Sequence, residues 1–285
     1  MANKKDMTEA EKITYIRARF LEDYYANSDL YDECDLKKVN NDFWISRFIN
    51  FLDQGLDKSL EHMKECFRWR KSFGVNTFDR TSIPREVYQM GAIFQYKPDA
   101  RGRHSLIIRV KMHRKISVIE DRLRKSLVNY MERIDAAANQ EFGWNLIFDC
   151  QGSGYQNADL DMVLFVMHTI RRYFPNGVRY VFLCGLPWVL NSVARLAIAF
   201  MPSDTAKKIR FVTPHELQQR LTVESLPDFL GGTCKDNYRW IPKGAKSCQQ
   251  LGEDLYGLTN KEIDKMMAPS LKYIQEGEKT AEIES

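Results

Sequence analysis

An α/β fold preceded by a small helical module is predicted for this 285-residue chain from three features. Residues 1–78 read as helices in succession. Residues 79–235 alternate short β-rich apolar runs with helical segments, an order that implies a mainly parallel sheet flanked by its crossover helices. The third feature is a stretch, Val178–Met201, in which a buried strand feeds a helix that has no polar face.

The elements follow in order. Thr8 with Glu11 three residues later makes a capping box, and Ile13, Ile16, Phe20, Leu21 and Tyr24 give the apolar stripe of a helix over 8–26. Asp42 is placed to cap a second helix carrying Phe43, Trp44, Phe48, Ile49, Phe51 and Leu52. A third runs from Leu56 to Lys71 and ends at Gly74 as its C-terminal cap. Strands are then expected over 92–96 and 105–111 across a turn at 98–102, followed by a long charged helix over 118–140. A strand over 144–148 ending in Asp149, a helix over 160–174, the strand over 178–184 and a last strand over 209–212 complete the β-α-β-α-β progression. From Asn237 the chain is polar, and residues 236–285 are expected to be a loosely attached tail.

In the segment Trp188–Met201, closed by Pro202, only Asn191, Ser192 and Arg195 interrupt the apolar residues. An ordinary surface helix shows a single apolar stripe. At 14 residues the segment is shorter than the roughly 20 that span a bilayer. It is therefore either a core helix or a movable wall over an apolar cavity, and the cavity residues expected with it are Phe165, Val166, Ile170, Phe182, Trp188, Leu190, Leu196, Ile198 and Phe200.

Composition narrows the function classes. With 44% hydrophobic and 28% charged residues the chain has the make-up of a soluble globular protein. No apolar run follows Met1-Ala-Asn-Lys-Lys-Asp6 and Ala2 is not Gly, so neither a signal peptide nor a myristoyl anchor is expected. Six scattered cysteines without a C-x-x-C pair suit reduced thiols in the cytosol, and five histidines without ligand spacing make a metal site improbable. Residues 101–125 hold 9 Lys or Arg against 2 Asp or Glu, a local attraction for phosphates of lipid headgroups or nucleic acid, although no nucleic-acid-binding motif accompanies it.

Enzymatic lures fall away. Cys150–Gly154 lacks the third Gly of a dinucleotide loop, Asn157 standing there, and lacks the Lys of a P-loop. Ser153 has Gln151 where a nucleophile elbow needs Gly, and Cys150 with His168 has no orienting third group.

Four segments together resemble the CRAL-TRIO lipid-binding family over residues 10–235: Phe67-Arg-Trp-Arg-Lys-Ser-Phe-Gly74, Ile147-Phe-Asp-Cys-Gln-Gly152, Tyr173-Phe-Pro175 and Leu226-Pro-Asp-Phe-Leu-Gly-Gly-Thr233. The resemblance implies a helical module (1–78), a lipid-binding domain (79–235) enclosing an apolar cavity, and a lid at 188–201 that opens at membranes. It implies a non-enzymatic protein without cofactor, whose ligand is one lipid or other hydrophobic molecule and which meets membranes reversibly from the cytoplasm. Carried over by position, the family's phosphoinositide headgroup residues fall on Arg70, Thr205 and Lys208. The Glu-Arg pair that follows the family's Tyr-Pro is Asn176-Gly177 here, and the hydroxyl residues that serve choline lipids in some members are replaced by Trp144 and Leu146, which then belong to the cavity wall. A protein-interaction scaffold with a merely structural cavity is the competing reading.

Overall fold

The computed structural model describes residues 7–52, 54–138 and 143–284. It divides into two compact units, Met1–Phe78 with His168–Val178, and Asp79–Met167 with Arg179–Ser285.

The first unit contains helices α1 (Glu9–Ala26), α2 (Leu36–Val39), α3 (Asp42–Ile49) and α4 (Leu56–Phe73). The expected capping box starts α1: the Glu11 amide donates to Thr8 Oγ1 at 3.3 Å, and the Thr8 amide to Glu11 Oε2 at 2.7 Å. The cap of α3 is Asn41 rather than Asp42. Asn41 has the extended backbone a cap requires (φ −99°, ψ 115°), and its Oδ1 accepts from the Trp44 amide, so Asp42 becomes the first helical residue. Helix α4 ends as expected at Gly74 in the left-handed region. Ile16 and Phe20, Ile45 and Phe48, and Met63 and Phe67 meet in one core. Residues 168–178 complete this unit: Arg47 Nε donates to the Pro175 carbonyl at 2.7 Å, His62 Nε2 lies 2.7 Å from the Arg172 carbonyl, and Trp69 stacks on Tyr173 at 3.6 Å. The helical module is thus closed by a segment far along the chain, a contribution that local periodicity does not register.

The second unit begins with α5 (Arg85–Met90), β1 (Ile93–Tyr96), β2 (Ser105–Arg109), α6 (Glu120–Ala137) and β3 (Trp144–Asp149). It continues through α7 (Leu160–Tyr173, its end in the first unit), β4 (Val178–Cys184), α8 (Asn191–Ala199), α9 (Ser203–Ala206), β5 (Ile209–Val212) and α10 (Pro214–Arg220). The helix expected over 118–140 is described to Ala137; residues 139 and 140 of that expectation lie outside the described residues. The five strands lie in chain order, β1 antiparallel to β2, β2 parallel to β3 and β4 parallel to β5. Right-handed crossovers between strands in chain order place their helices on one face of the sheet. The opposite face is covered by α10 and the chain after it, where Phe94, Ile107, Ile147 and Phe182 pack on Leu217, Leu226 and Leu230.

Residues 236–285 are no loose tail. They form β6 (Trp240–Ile241), α11 (Cys248–Tyr256), α12 (Asn260–Met267), α13 (Leu271–Glu278) and β7 (Glu282–Ile283), with β6 and β7 paired in parallel. Leu251, Ile263 and Ile274 are buried. A Cβ at Gly277 would lie 1.9 Å from the Gln89 carbonyl oxygen, so α13 approaches the end of α5 as closely as only glycine permits. Arg80 grips Glu284 through two bonds of 2.6 and 2.7 Å.

Candidate functional site

Strand alternation decides which residues can line a site. Ile93, Ile108 and Phe148 point to the α6 and α7 side, where with Leu127, Met162 and Val166 they surround an apolar pocket of about 170 Å³. A second apolar pocket of about 90 Å³ has Val181, Leu183 and Phe148 as its floor. Its other wall is Leu190, Val193, Ala194, Ala197, Ile198 and Met201, the spacing of one face of a helix. Val110, Phe148, Asn157, Asp159 and Val163 belong to both pockets, so the two adjoin.

The segment 188–201 thus has an inward face, and its outward side mixes the exposed Asn191, Ser192 and Arg195 with large apolar side chains. Trp188 is 80% exposed, Phe200 64% and Leu196 48%, and the neighbouring strand adds Phe211 at 53%. A soluble helix ordinarily turns polar residues outward. Large side chains of this kind gathered on one surface mark a place that meets something apolar.

A small polar cluster stands where the two pockets meet. His113 Nε2 lies 2.9 Å from Asp159 Oδ2, while Asp159 Oδ1 accepts from the Met162 amide at 3.0 Å and so caps α7. Burial alone pushes the Asp159 carboxyl up, but the Met162 amide and His113 outweigh it and hold it below the usual carboxylate range. Asn157 donates to the carbonyls of Lys111 and His113 at 3.0 Å and accepts from the Gly154 amide at 2.9 Å, tying the loop after β2 to the turn after β3. Nothing in the sequence analysis singled out His113 and Asp159 as a pair; the signal available was Asp159 one residue before a helix. Burial pushes the Cys150 thiol, at the edge of the smaller pocket, up to about 12, which keeps it protonated.

The expected cavity residues divide. Val166 lines the larger pocket, and Leu190 and Ile198 the smaller. Phe182 does not: its neighbours Val181 and Leu183 face the pocket, so Phe182 points to the packed face of the sheet. Trp188, Leu196 and Phe200 face outward rather than into the cavity, because the positions at 190, 193, 194 and 197 take the inner face. Trp144 is buried with its indole donating to Asp135 Oδ1 at 3.0 Å, and Leu146 is buried beside Leu106; neither lines the two pockets. Phe165 lies against the Arg124 guanidinium at 5.0 Å, and Ile170 is buried within the first unit.

Of the three expected headgroup residues, Thr205 and Lys208 sit between Met201 and Ile209 of the smaller pocket. Thr205 is buried with its hydroxyl 3.4 Å from Asp204, and the Lys208 carbonyl accepts from the Val181 amide at 3.0 Å, tying β4 to the start of β5. Arg70 has a different task. It is 1% exposed in the first unit, and its Nε and Nη2 hold the two oxygens of Asp35 at 2.8 and 2.9 Å. Removing one partner of such a pair strands a buried charge, which makes Arg70 a structural residue of the helical unit. Asn176 adopts a left-handed backbone (φ 54°), a conformation Asn tolerates, and donates to the Arg47 carbonyl at 3.3 Å. Four of the nine basic residues of the run 101–125 are paired: Arg103 with Asp99, Lys115 with Asp161, Arg124 with Glu120 and Lys125 with Asp121. Its attraction for anions is correspondingly reduced.

A sheet with its crossover helices on one side, apolar pockets between the two layers and a segment over one pocket that exposes large apolar side chains define the class as an α/β domain with a pocketed helical face. Residues 88–232, just over half of the chain, match the CRAL/TRIO domain, and the chain belongs to that family. It is 24% identical over 220 residues to Sec14 cytosolic factor of Schizosaccharomyces pombe, covering 68% of this chain and 76% of that protein. It is also 24% identical over 228 residues to Protein real-time of Drosophila pseudoobscura pseudoobscura, covering 70% of this chain and 33% of that protein. The human tyrosine-protein phosphatase non-receptor type 9 is 23% identical over 151 residues, 51% of this chain and 26% of the phosphatase. The chain therefore spans a third or less of the last two relatives. The crystal structure of Sfh5 superposes with a TM-score of 0.63 at 14% identity, covering 95% of this chain and 99% of that one, and so shares the fold. Among the described residues no helix is long and apolar enough to cross a membrane, and no His, Cys, Asp and Glu group could hold a metal ion.

Proposed function

We propose that this chain is a non-catalytic carrier that holds one lipid or similar hydrophobic ligand in the joined pockets and exchanges it at a membrane when the segment 188–201 swings outward. The observation that carries this reading is the lid itself, with Val193 and Ala197 over the smaller pocket and Trp188, Leu196 and Phe200 on the opposite side. Each methylene withdrawn from water contributes about 0.8 kcal/mol, so a partly buried acyl chain offsets the cost of such a lid. Both pockets are smaller than the roughly 300 Å³ at which ligand sites begin, so a lipid requires the lid to move.

Thr205 and Lys208, in the stretch between the lining residues Met201 and Ile209, support a phosphorylated headgroup such as a phosphoinositide; Arg70, held by Asp35, does not. A finer kinship, with the CRAL-TRIO domain of motile sperm domain-containing protein 2, is proposed from Ser82-Ile-Pro84, Ile108-Arg-Val-Lys111, Leu186-Pro-Trp188 and Phe229-Leu-Gly-Gly-Thr233. Native mass spectrometry of the purified chain with organic extraction tests the function. One stoichiometric lipid, absent from Ala197→Asp, is the expected result. An empty protein that also refuses fluorescent lipids from vesicles would favour a scaffold with a structural cavity.

A further inference from the structure

Arg109 ends β2 on the sheet face that carries Phe229, with its guanidinium 4.1 Å from the centre of that ring. It is 6% exposed, yet among the described residues neither its Nε nor its Nη1 has a hydrogen-bond partner. The adjacent carboxylate in the sheet, Asp149, turns one oxygen to Gln151: its Oδ1 accepts from the amide and the side chain of that residue at 3.2 and 3.1 Å. Asp149 and Glu276 act on Arg109 from a distance, and among the described residues neither forms an ion pair with it. Burial, aided by the like charge of Arg239, pushes the guanidinium down from its ordinary value.

The segment after the packed loop supplies more donors of the same kind. Tyr238 stacks on Phe94 at 4.3 Å and anchors it to this face. In the residues before and after Tyr238, the atoms Asn237 Nδ2 and Arg239 Nε are also buried without partners among the described residues, although Arg239 Nη1 reaches Thr280 Oγ1 at 2.9 Å. Buried guanidinium groups are costly unless an acceptor meets them. These orphan groups can only donate, and two of them belong to cations, so the chemistry that satisfies them is an oxyanion.

We propose that Arg109 and Arg239 form an anion-binding site for a phosphate or carboxylate group, with Asn237 as a third donor. The same chemistry can arrive on a lipid headgroup or as a free anion. The site is defined by its unmet donors and stands apart from the lid's role in lipid exchange.

The test uses the full chain, Arg109→Gln and Arg239→Gln. Thermal denaturation is followed against inorganic phosphate at constant ionic strength, and uptake is measured from vesicles of phosphatidylcholine with and without phosphatidic acid. A free-anion site predicts stabilisation of the wild type by phosphate, with apparent affinity at least about tenfold weaker in Arg109→Gln, the value of one charge-assisted hydrogen bond. A lipid-borne anion instead predicts selective uptake of phosphatidic acid that Arg109→Gln loses, with no response to phosphate. Either result supports the site. No response to both probes, or equal responses in the wild type and both variants, overturns it. Should Arg109→Gln not fold, the half-buried Arg239→Gln decides by the same two readings.

Discussion

The two faces of the five-stranded sheet are made by the same strands, yet one is filled and the other is not. Under α10, Phe94, Ile107, Ile147, Phe182 and Leu217 are buried against one another, and a Cβ at Gly232 would come within 1.9 Å of the Leu226 carbonyl oxygen. Under α6, α7 and α8, Ile108, Phe148, Val181 and Leu183 leave two apolar spaces. Interiors are otherwise packed like organic crystals, so empty apolar volume forgoes dispersion contacts. The comparison teaches that the same strands pack densely on one face and leave room on the other, which is where the proposed guest would sit.

The sharpest way to break that comparison is to cut one apolar side chain beside each face. Leu217→Ala, from a fully buried position on the filled face, is expected to cost ~2–5 kcal/mol. Val193→Ala, on the half-buried lid beside existing space, should cost under ~1.5 kcal/mol, because its removal enlarges a void already present. Urea unfolding with an unchanged m-value measures both, and equal losses would mean that the two faces carry stability alike. Enlarging side chains is the complementary probe. Gly232→Ala should destabilise by ~1–3 kcal/mol through its clash with backbone. Ala197→Trp should instead occupy the smaller pocket and lower the amount of copurified lipid while the fold persists.

The same contrast explains what the sequence made legible. The five strands of the sheet and the helices between them were readable within a few residues, because Pro, Gly and apolar runs punctuate them, whereas the short α5, α9 and α10 went unread. The facing of β4 was not. Its run Val181-Phe-Leu-Cys184 is apolar at every position, so alternation carries no signal, and Phe182 was expected in the cavity when Val181 and Leu183 line it. Trp188, Leu196 and Phe200 posed the same difficulty on a helix: all-round apolarity marks a special segment without saying which side faces in. The C-terminal helices were hidden by a polar composition, although Ser247 with Gln250 and Thr259 with Glu262 are capping boxes that could have revealed α11 and α12. Arg70 looked available because its partner Asp35 lies 35 residues earlier, outside any local pattern.

A smaller effect concerns the polar cluster between the two pockets. The Asp159 carboxyl is depressed in the folded chain, so its contribution is present above the unfolded value of about 3.9 and is lost as pH falls through the lower folded value. Asp159→Ala removes the cap of α7 and should cost ~1 kcal/mol at neutral pH, a difference that shrinks at the acid end. Thermal unfolding of both proteins from pH 7 to pH 3 checks this; a constant gap across that range would mean that the ionised carboxylate stabilises nothing here.

The smallest expected change in stability attends the most exposed residues. Trp188→Ser and Phe200→Ser, at 80% and 64% exposure, should move the unfolding free energy by no more than ~0.5 kcal/mol, because these side chains bury little in the folded chain. Their absence should nevertheless weaken sedimentation with phosphatidylcholine vesicles and slow lipid exchange, since a membrane is the apolar medium their outward position serves. Unaltered vesicle binding by the double variant would sever the lid from membrane contact and leave its outer surface without that role. A double variant that keeps its lipid yet exchanges it slowly would separate the two sides of one helix, the inner holding the guest and the outer admitting it.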